Sequence, residues 1–269
     1  MTLSWASPET GGIGSDDLIA TVTLQGGNLS LSGTELNADV ILDGGSGNDV
    51  INGTANVALP VSGIVTVGTD VGGGSGNDTI DVLADGRGAF GSSIAMNTVD
   101  AGSGDDHVTA HAETEFNAYI GIARNLLFGG SGHDVLEASA EGRSNSTKTI
   151  TNELHGGHGS DVLRAFNLTD SNSAAPVGIN RLWGDDGNDT LEAIHSTDGE
   201  NTITDVTSYL DGGKGNDNLL RIPPRLGDLF TLSINSRAAM EKTASRQISR
   251  RMPMVDMVPG KIFTILQMS

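Results

Sequence analysis

Gly129-Gly130-Ser131-Gly132-His133-Asp134-Val135-Leu136 is one of eight copies of a motif GGxGxDxU, with U aliphatic, that begin at residues 11, 44, 73, 101, 129, 156, 184 and 212. The starts lie 33, 29, 28, 28, 27, 28 and 28 residues apart, so one unit of near-constant length fills most of the chain. A unit this short cannot bury an inner face alone. Stacked copies can, and a fixed period of this size therefore predicts a solenoid.

Aligning the copies assigns the positions. The U position reads Leu18, Ile51, Ile80, Val108, Leu136, Leu163, Leu191 and Leu219. Two residues later come mostly small apolar side chains, Ala20, Val82, Ala110, Ala138, Ala165 and Ala193, with polar residues such as Asp81, Thr109 and Glu137 between. Strict alternation of this kind is a strand with one buried face. A second strand leads into each motif: Leu42, Val71, Val99, Leu127, Leu154, Leu182 and Leu210 stand two residues before the first position. Four residues before it, Asn97, Asn125, Asn152 and Asn180 predict either an amide ladder along the stack or a set of bends. The connections on the far side, such as those opened by Asp85 and Glu141, share no ligand pattern and read as solvated loops.

Bulk composition agrees. Among 269 residues are 38 glycines and only 4% aromatics, so turns are plentiful and a thick core is not. Net charge is −19, and it is uneven: 7 basic and 31 acidic residues up to Leu220, then 8 basic and 3 acidic. An acidic body excludes a phosphate-binding surface and favours cations. Cysteine is absent, which rules out disulfides and thiolate metal sites. No apolar run is long enough to span a membrane, and the first residues lack a cleavable secretory signal.

The sixth position is Asp16, Asp49, Asp78, Asp106, Asp134, Asp161, Asp189 and Asp217. A single glycine turn with one Asp is an ordinary Asx turn. Eight in register are a column of hard oxygen ligands, suited to calcium, which takes six to eight oxygens, better than to magnesium or a transition metal. One turn supplies too few ligands, so each ion is expected between successive turns. His107 and His111, four apart on a strand, are the only hint of a transition-metal pair, and nothing in the sequence completes it.

Over residues 11 to 219 the motif resembles the RTX family, the glycine-rich calcium-binding nonapeptides of bacterial proteins exported by type I secretion. The resemblance implies an all-β fold, a right-handed parallel β-solenoid of β-roll type, with about 28 residues per coil and one GGxGxD turn per coil. It implies ligands at the sixth-position carboxylates together with the first-, third- and fifth-position carbonyls. The first- and third-position residues are Gly11 and Ile13, Gly44 and Ser46, Gly73 and Ser75, Ala101 and Ser103, Gly129 and Ser131, Gly156 and His158, Gly184 and Asp186, and Gly212 and Lys214, and the fifth in the Gly129 copy is His133. The family period is nine residues with two turns per coil, whereas one motif per 28 residues puts ions on one edge only. Ala101 and Asp185 replace glycines and weaken their turns.

The function this implies is calcium-driven folding of a structural or adhesive module in a secreted or surface bacterial protein, exported without a cleavable signal. The chain divides into a lead (1–10), the solenoid (11–220) and a basic tail (221–269). The tail reads as an export segment, a disordered segment or a repeat continued in a shifted frame, since Arg237 to Ser245 permits a ninth motif in another frame. Nothing resembles a catalytic constellation. The alternatives are a β-helix enzyme acting on acidic polysaccharides and a module that binds glycans or proteins on its sheet faces.

Overall fold

The computed structural model describes residues 2–24, 35–57, 63–87, 91–114, 120–142, 147–170, 177–198, 205–222 and 230–236. The strands alternate between two sheets. The odd set is β1 (Thr2–Ile13), β3 (Glu35–Ser46), β5 (Ile64–Ser75), β7 (Ser92–Ser103), β9 (Ile120–Ser131), β11 (Thr147–His158), β13 (Val177–Asp186), β15 (Asp205–Gly213) and β17 (Phe230–Ser236). The even set is β2 (Asp17–Leu24), β4 (Val50–Val57), β6 (Thr79–Gly86), β8 (His107–Thr114), β10 (Val135–Gly142), β12 (Val162–Asp170), β14 (Thr190–Asp198) and β16 (Asn218–Ile222). The odd strands form one nine-stranded sheet in chain order and the even strands one eight-stranded sheet, every pair parallel.

This is a β-solenoid. Each coil is a long strand, the glycine turn and a shorter strand, and the next coil lies on it one strand spacing, about 4.8 Å, away. The register makes each repeat position a column: Leu127 pairs with Leu154 and then Leu182, while Val108, Leu136, Leu163 and Leu191 follow one another in the other sheet. All of these are fully buried. The alanine columns at Ala110, Ala138, Ala165 and Ala193 are buried too, which lets the sheets approach closely.

The asparagines form the ladder. Asn97 Nδ2 donates to Asn125 Oδ1 (2.8 Å), Asn125 to Asn152 (2.8 Å) and Asn152 to Asn180 (3.0 Å). Each amide also donates across the core to a carbonyl of the even sheet: His111, Ser139, Phe166 and Ile194 in turn. The column thus staples one sheet to the other. At the last coils the polar core widens where earlier coils have alanine: Asn152 reaches Asn167 (2.7 Å), and His195 Nε2 lies 3.3 Å from Asn180 and 3.0 Å from Ser208. Burial holds the His195 ring neutral, its pKa down to about 3.

The far edge differs from the solvated loops expected there. Asp85, Glu113 and Glu141 stand in register on β6, β8 and β10 and are buried. Arg87 reaches both Asp85 (2.6 Å) and Glu113 (3.4 Å), and the wholly buried Lys148 bonds Thr114 (3.2 Å). Strand ends, unlike loop tips, are covered by the next coil, so polar residues there need partners. Beyond Ile222 only β17 is described; the proposed shifted-frame motif lies outside the described residues.

Candidate metal centre

The first three motif residues finish the long strand, and the seventh opens the short one, so the sixth is caught at the corner between sheets. All but Asp16 of the eight sixth-position side chains are buried by the adjacent coils. Glycine suits the second and fourth positions of this corner: Gly130 has φ 99° and Gly132 φ 134°, in the region closed to most side chains.

Seven of the sixth-position carboxylates, all but that of Asp16, divide their oxygens. Oδ1 accepts the backbone N–H of the aspartate one coil back: Asp16 to Asp49 (2.7 Å), Asp49 to Asp78 (2.8 Å), Asp78 to Asp106 (2.7 Å), Asp106 to Asp134 (2.9 Å), Asp134 to Asp161 (2.9 Å), Asp161 to Asp189 (2.8 Å) and Asp189 to Asp217 (3.1 Å). Oδ2 of all eight is buried and has no hydrogen-bond partner. None of the eight is in an ion pair among the described residues.

What Oδ2 faces is another acceptor. A β-carbon built on Gly129 would lie 2.5 Å from Asp134 Oδ2 and 2.6 Å from the carbonyl oxygen of Gly156 in the next turn. At Gly73 the corresponding oxygens are Asp78 Oδ2 (2.7 Å) and the Ala101 carbonyl (2.5 Å). The same pairing brings in the carbonyls of Gly44, Gly73, Gly184 and Gly212. A buried carboxylate oxygen with no donor, sharing a small space with a carbonyl oxygen, suits a cation or a proton. Glycine keeps that space open, whereas Ala101 puts its methyl into it.

The electrostatics say the same. Desolvation, with added repulsion from neighbouring carboxylates, pushes Asp106 and Asp189 up to about 7 and Asp134 to about 6, against the help of the backbone hydrogen bond each accepts. Asp78, Asp161 and Asp217 are raised for the same leading reason. The far edge carries its own cations in Arg87 and Lys148; at the turn edge Lys214 is paired with Asp186 and reaches none of the eight Oδ2 atoms, and a hard, oxygen-seeking cation fits there.

The third-position carbonyls also bond along the stack. Ser46, Ser75, Ser103, Ser131, His158, Asp186 and Lys214 each accept the N–H of the fourth-position glycine one coil back, at 2.6–2.8 Å. Their first lone pair runs along the stack, leaving one free. Ile13, in the first turn, is almost wholly exposed.

The fifth position carries a ladder the sequence reading missed. Side-chain acceptors of Ser15, Asn48, Asn77, Asp105, His133, Ser160 and Asn188 each receive the N–H of the fifth residue one coil on, for example Asn77 N–H to Asn48 Oδ1 (2.8 Å) and Ser160 N–H to His133 Nδ1 (2.8 Å). The available signal was chemical: all eight fifth-position residues carry a short side-chain acceptor.

His107 and His111 lie about 13 Å apart at strand spacing, too far for one ion. His111 instead comes within 4.8 Å of Glu113 and Glu141, in the far-edge network that Arg87 also enters. Phe128, His155, Trp183 and Tyr209 stack on the outer face of the odd sheet, with ring centroids 5.0, 4.4 and 5.5 Å apart. No helix long and apolar enough to cross a membrane occurs among the described residues.

A search of known sequence families finds the RTX calcium-binding nonapeptide repeat in four copies, within residues 37–56, 120–140 and 177–193. No curated protein and no solved structure matches the chain.

Proposed function

We propose that this chain, a solenoid carrying RTX calcium-binding nonapeptide repeats, takes up calcium between successive turns along one edge and becomes rigid by doing so. The observation that carries this reading is the column of eight buried Oδ2 atoms without partners, six of them beside a carbonyl one coil on. Eight aspartates leave up to seven inter-turn positions. Each would draw on two sixth-position carboxylates and a first-position carbonyl, with the free lone pairs of third- and fifth-position carbonyls and water filling the shell.

Without a cation, stacking forces buried like charges together while the alanine-rich core returns little hydrophobic stabilisation. Ion binding is then folding free energy. Circular dichroism in chelator and in millimolar calcium tests this: β structure is expected only with calcium, and identical spectra would reject the reading. RTX repeats are typical of secreted bacterial proteins, so the setting is extracellular, where modules of this type half-saturate at roughly 0.1–1 mM calcium. The role we assign is a stiff, non-catalytic spacer or adhesive segment.

A further inference from the structure

We propose that His111, Glu113 and Glu141 form a second metal site, on the edge of the solenoid away from the glycine turns, for a divalent transition-type cation such as zinc. The site goes beyond the calcium reading and does not depend on it, since it uses other residues and another kind of donor.

One strand and its neighbour build the group. His111 and Glu113 stand two residues apart on β8, so both project from the same side of the strand. Glu141 on β10 is paired in register with Glu113, one strand spacing away. The three side chains thus mark the corners of a small triangle, and each offers a ligand atom within 4.8 Å of the other two. Among the described residues this is the only such group of three side chains.

The distances have the scale of a coordination sphere. His111 Nε2 lies 3.6 Å from Glu113 Oε2, beyond hydrogen-bond length. Two ligand atoms that each sit about 2.1 Å from a zinc ion, at the tetrahedral angle, are about 3.4 Å apart. Three protein ligands leave a fourth position for water, and the His111 side chain, 34% exposed, gives the ion a way in from solvent. The donor set selects the metal: an imidazole with two carboxylates suits zinc and its neighbours, whereas calcium takes oxygen alone.

Charge and burial point the same way. Glu113 and Glu141 are only 6% and 8% exposed and oppose each other directly across the strand pair, where like charges are destabilising. Arg87 answers this in part: it donates to Asp85 twice, from Nε to Oδ1 (2.8 Å) and from Nη2 to Oδ2 (2.6 Å), and its Nε lies 3.4 Å from Glu113 Oε2. A carboxylate has about four lone-pair sites, so Glu113 keeps this contact while binding an ion. Arg87, anchored by Asp85, then acts as the outer partner that holds the Glu113 ligand in place. A doubly charged ion between β8 and β10 also ties two coils together at the edge opposite the turns.

Calorimetric titration of zinc into the full chain, in the same millimolar calcium for every variant and near neutral pH, tests the site. The parent is expected to bind one zinc more tightly than any others. His111→Ala should weaken that ion about a hundredfold, since losing even an outer partner of a metal ligand costs about 10–100-fold. Glu141→Gln, equal in size, should weaken it as well. His107→Ala removes an imidazole from the same face of β8, about 13 Å from His111, and should leave it unchanged. His111 lies on the outer face, so its variant keeps the calcium-saturated dichroism spectrum. An edge held by ion pairs alone predicts the same zinc affinity with and without His111. That result, an unmoved affinity in Glu141→Gln, an equal loss in His107→Ala or a parent that takes up no zinc overturns the site. Calcium counted by equilibrium dialysis is a separate readout, so the turn column stands or falls independently.

Discussion

Asp134 carries two duties on one carboxylate: Oδ1 holds the Asp106 N–H at 2.9 Å, and Oδ2 shares the space beside Gly129 with the Gly156 carbonyl. Asn at this position separates the duties, because it keeps an acceptor, gains a donor toward Gly156 and loses the charge. Asp134→Asn is therefore expected to hold more β structure than the parent in chelator at neutral pH. In saturating calcium it is less stable by about 1–3 kcal/mol. Ion counting should show both positions flanking Asp134 weakened together, since the residue serves each; the loss of one ion with ordinary affinity elsewhere would contradict stacked sharing. The sixth-position aspartates were legible in the sequence because one residue type recurs eight times at one spacing. The fifth position was not, because Ser, Asn, Asp and His are alike only in offering an acceptor, and a ladder tolerates any of them.

At the scale of the strand, the asparagine column is what couples the two sheets. Asn152 accepts from Asn125 and donates toward Asn180, Asn167 and the Phe166 carbonyl, with no exposure to water. Asn152→Ala leaves several buried groups unpaired, each at about 1–3 kcal/mol, so urea unfolding in saturating calcium should show a loss of at least about 2 kcal/mol. Arg164→Ala on the outer face, which breaks surface pairs with Glu137 and Glu192, should cost no more than about 1 kcal/mol. The 28-residue recurrence of Asn placed it in the sequence as one of two readings. The partners Asn167, His195 and Ser208 were hidden, because bonds across the core join residues 13 to 15 apart, an interval that the repeat alignment does not compare. The Asp85, Glu113 and Glu141 column was hidden for a related reason: its residue types differ between copies, and only the register shows that they share an edge.

For the whole molecule, the turn edge is a titratable stack with acid-dependent stability when calcium is absent. Asp106 and Asp189 at about 7 and Asp134 at about 6 lie above the 3.8 of the unfolded chain. The folded state thus binds more protons than the unfolded state across that window, and stability falls as pH rises through it. In chelator, lowering the pH from 7.5 to 4.5 should increase β structure by dichroism, and a chain that loses structure over this range would contradict the buried column. With calcium the sign reverses, since protons and cations compete for the same oxygens, and affinity should weaken as pH falls below about 7.

The repeat spacing alone determined the coil length, the two inward-facing strands and the column of sixth-position aspartates, because a solenoid copies sequence period directly into spatial register. Only the tertiary structure decided which oxygens of each turn are free. Backbone hydrogen bonds between coils claim one oxygen of every sixth-position carboxylate but that of Asp16, and one lone pair of the third-position carbonyls beyond the first turn, leaving Oδ2 without a partner and, in six turns, beside a carbonyl one coil on. It also held Asp185, which a sequence alignment marks simply as a lost glycine, at φ 67°, on the same side of the map as its glycine counterparts. Stacking brings together groups about 28 residues apart, and their chemistry follows from what the intervening hydrogen bonds leave over.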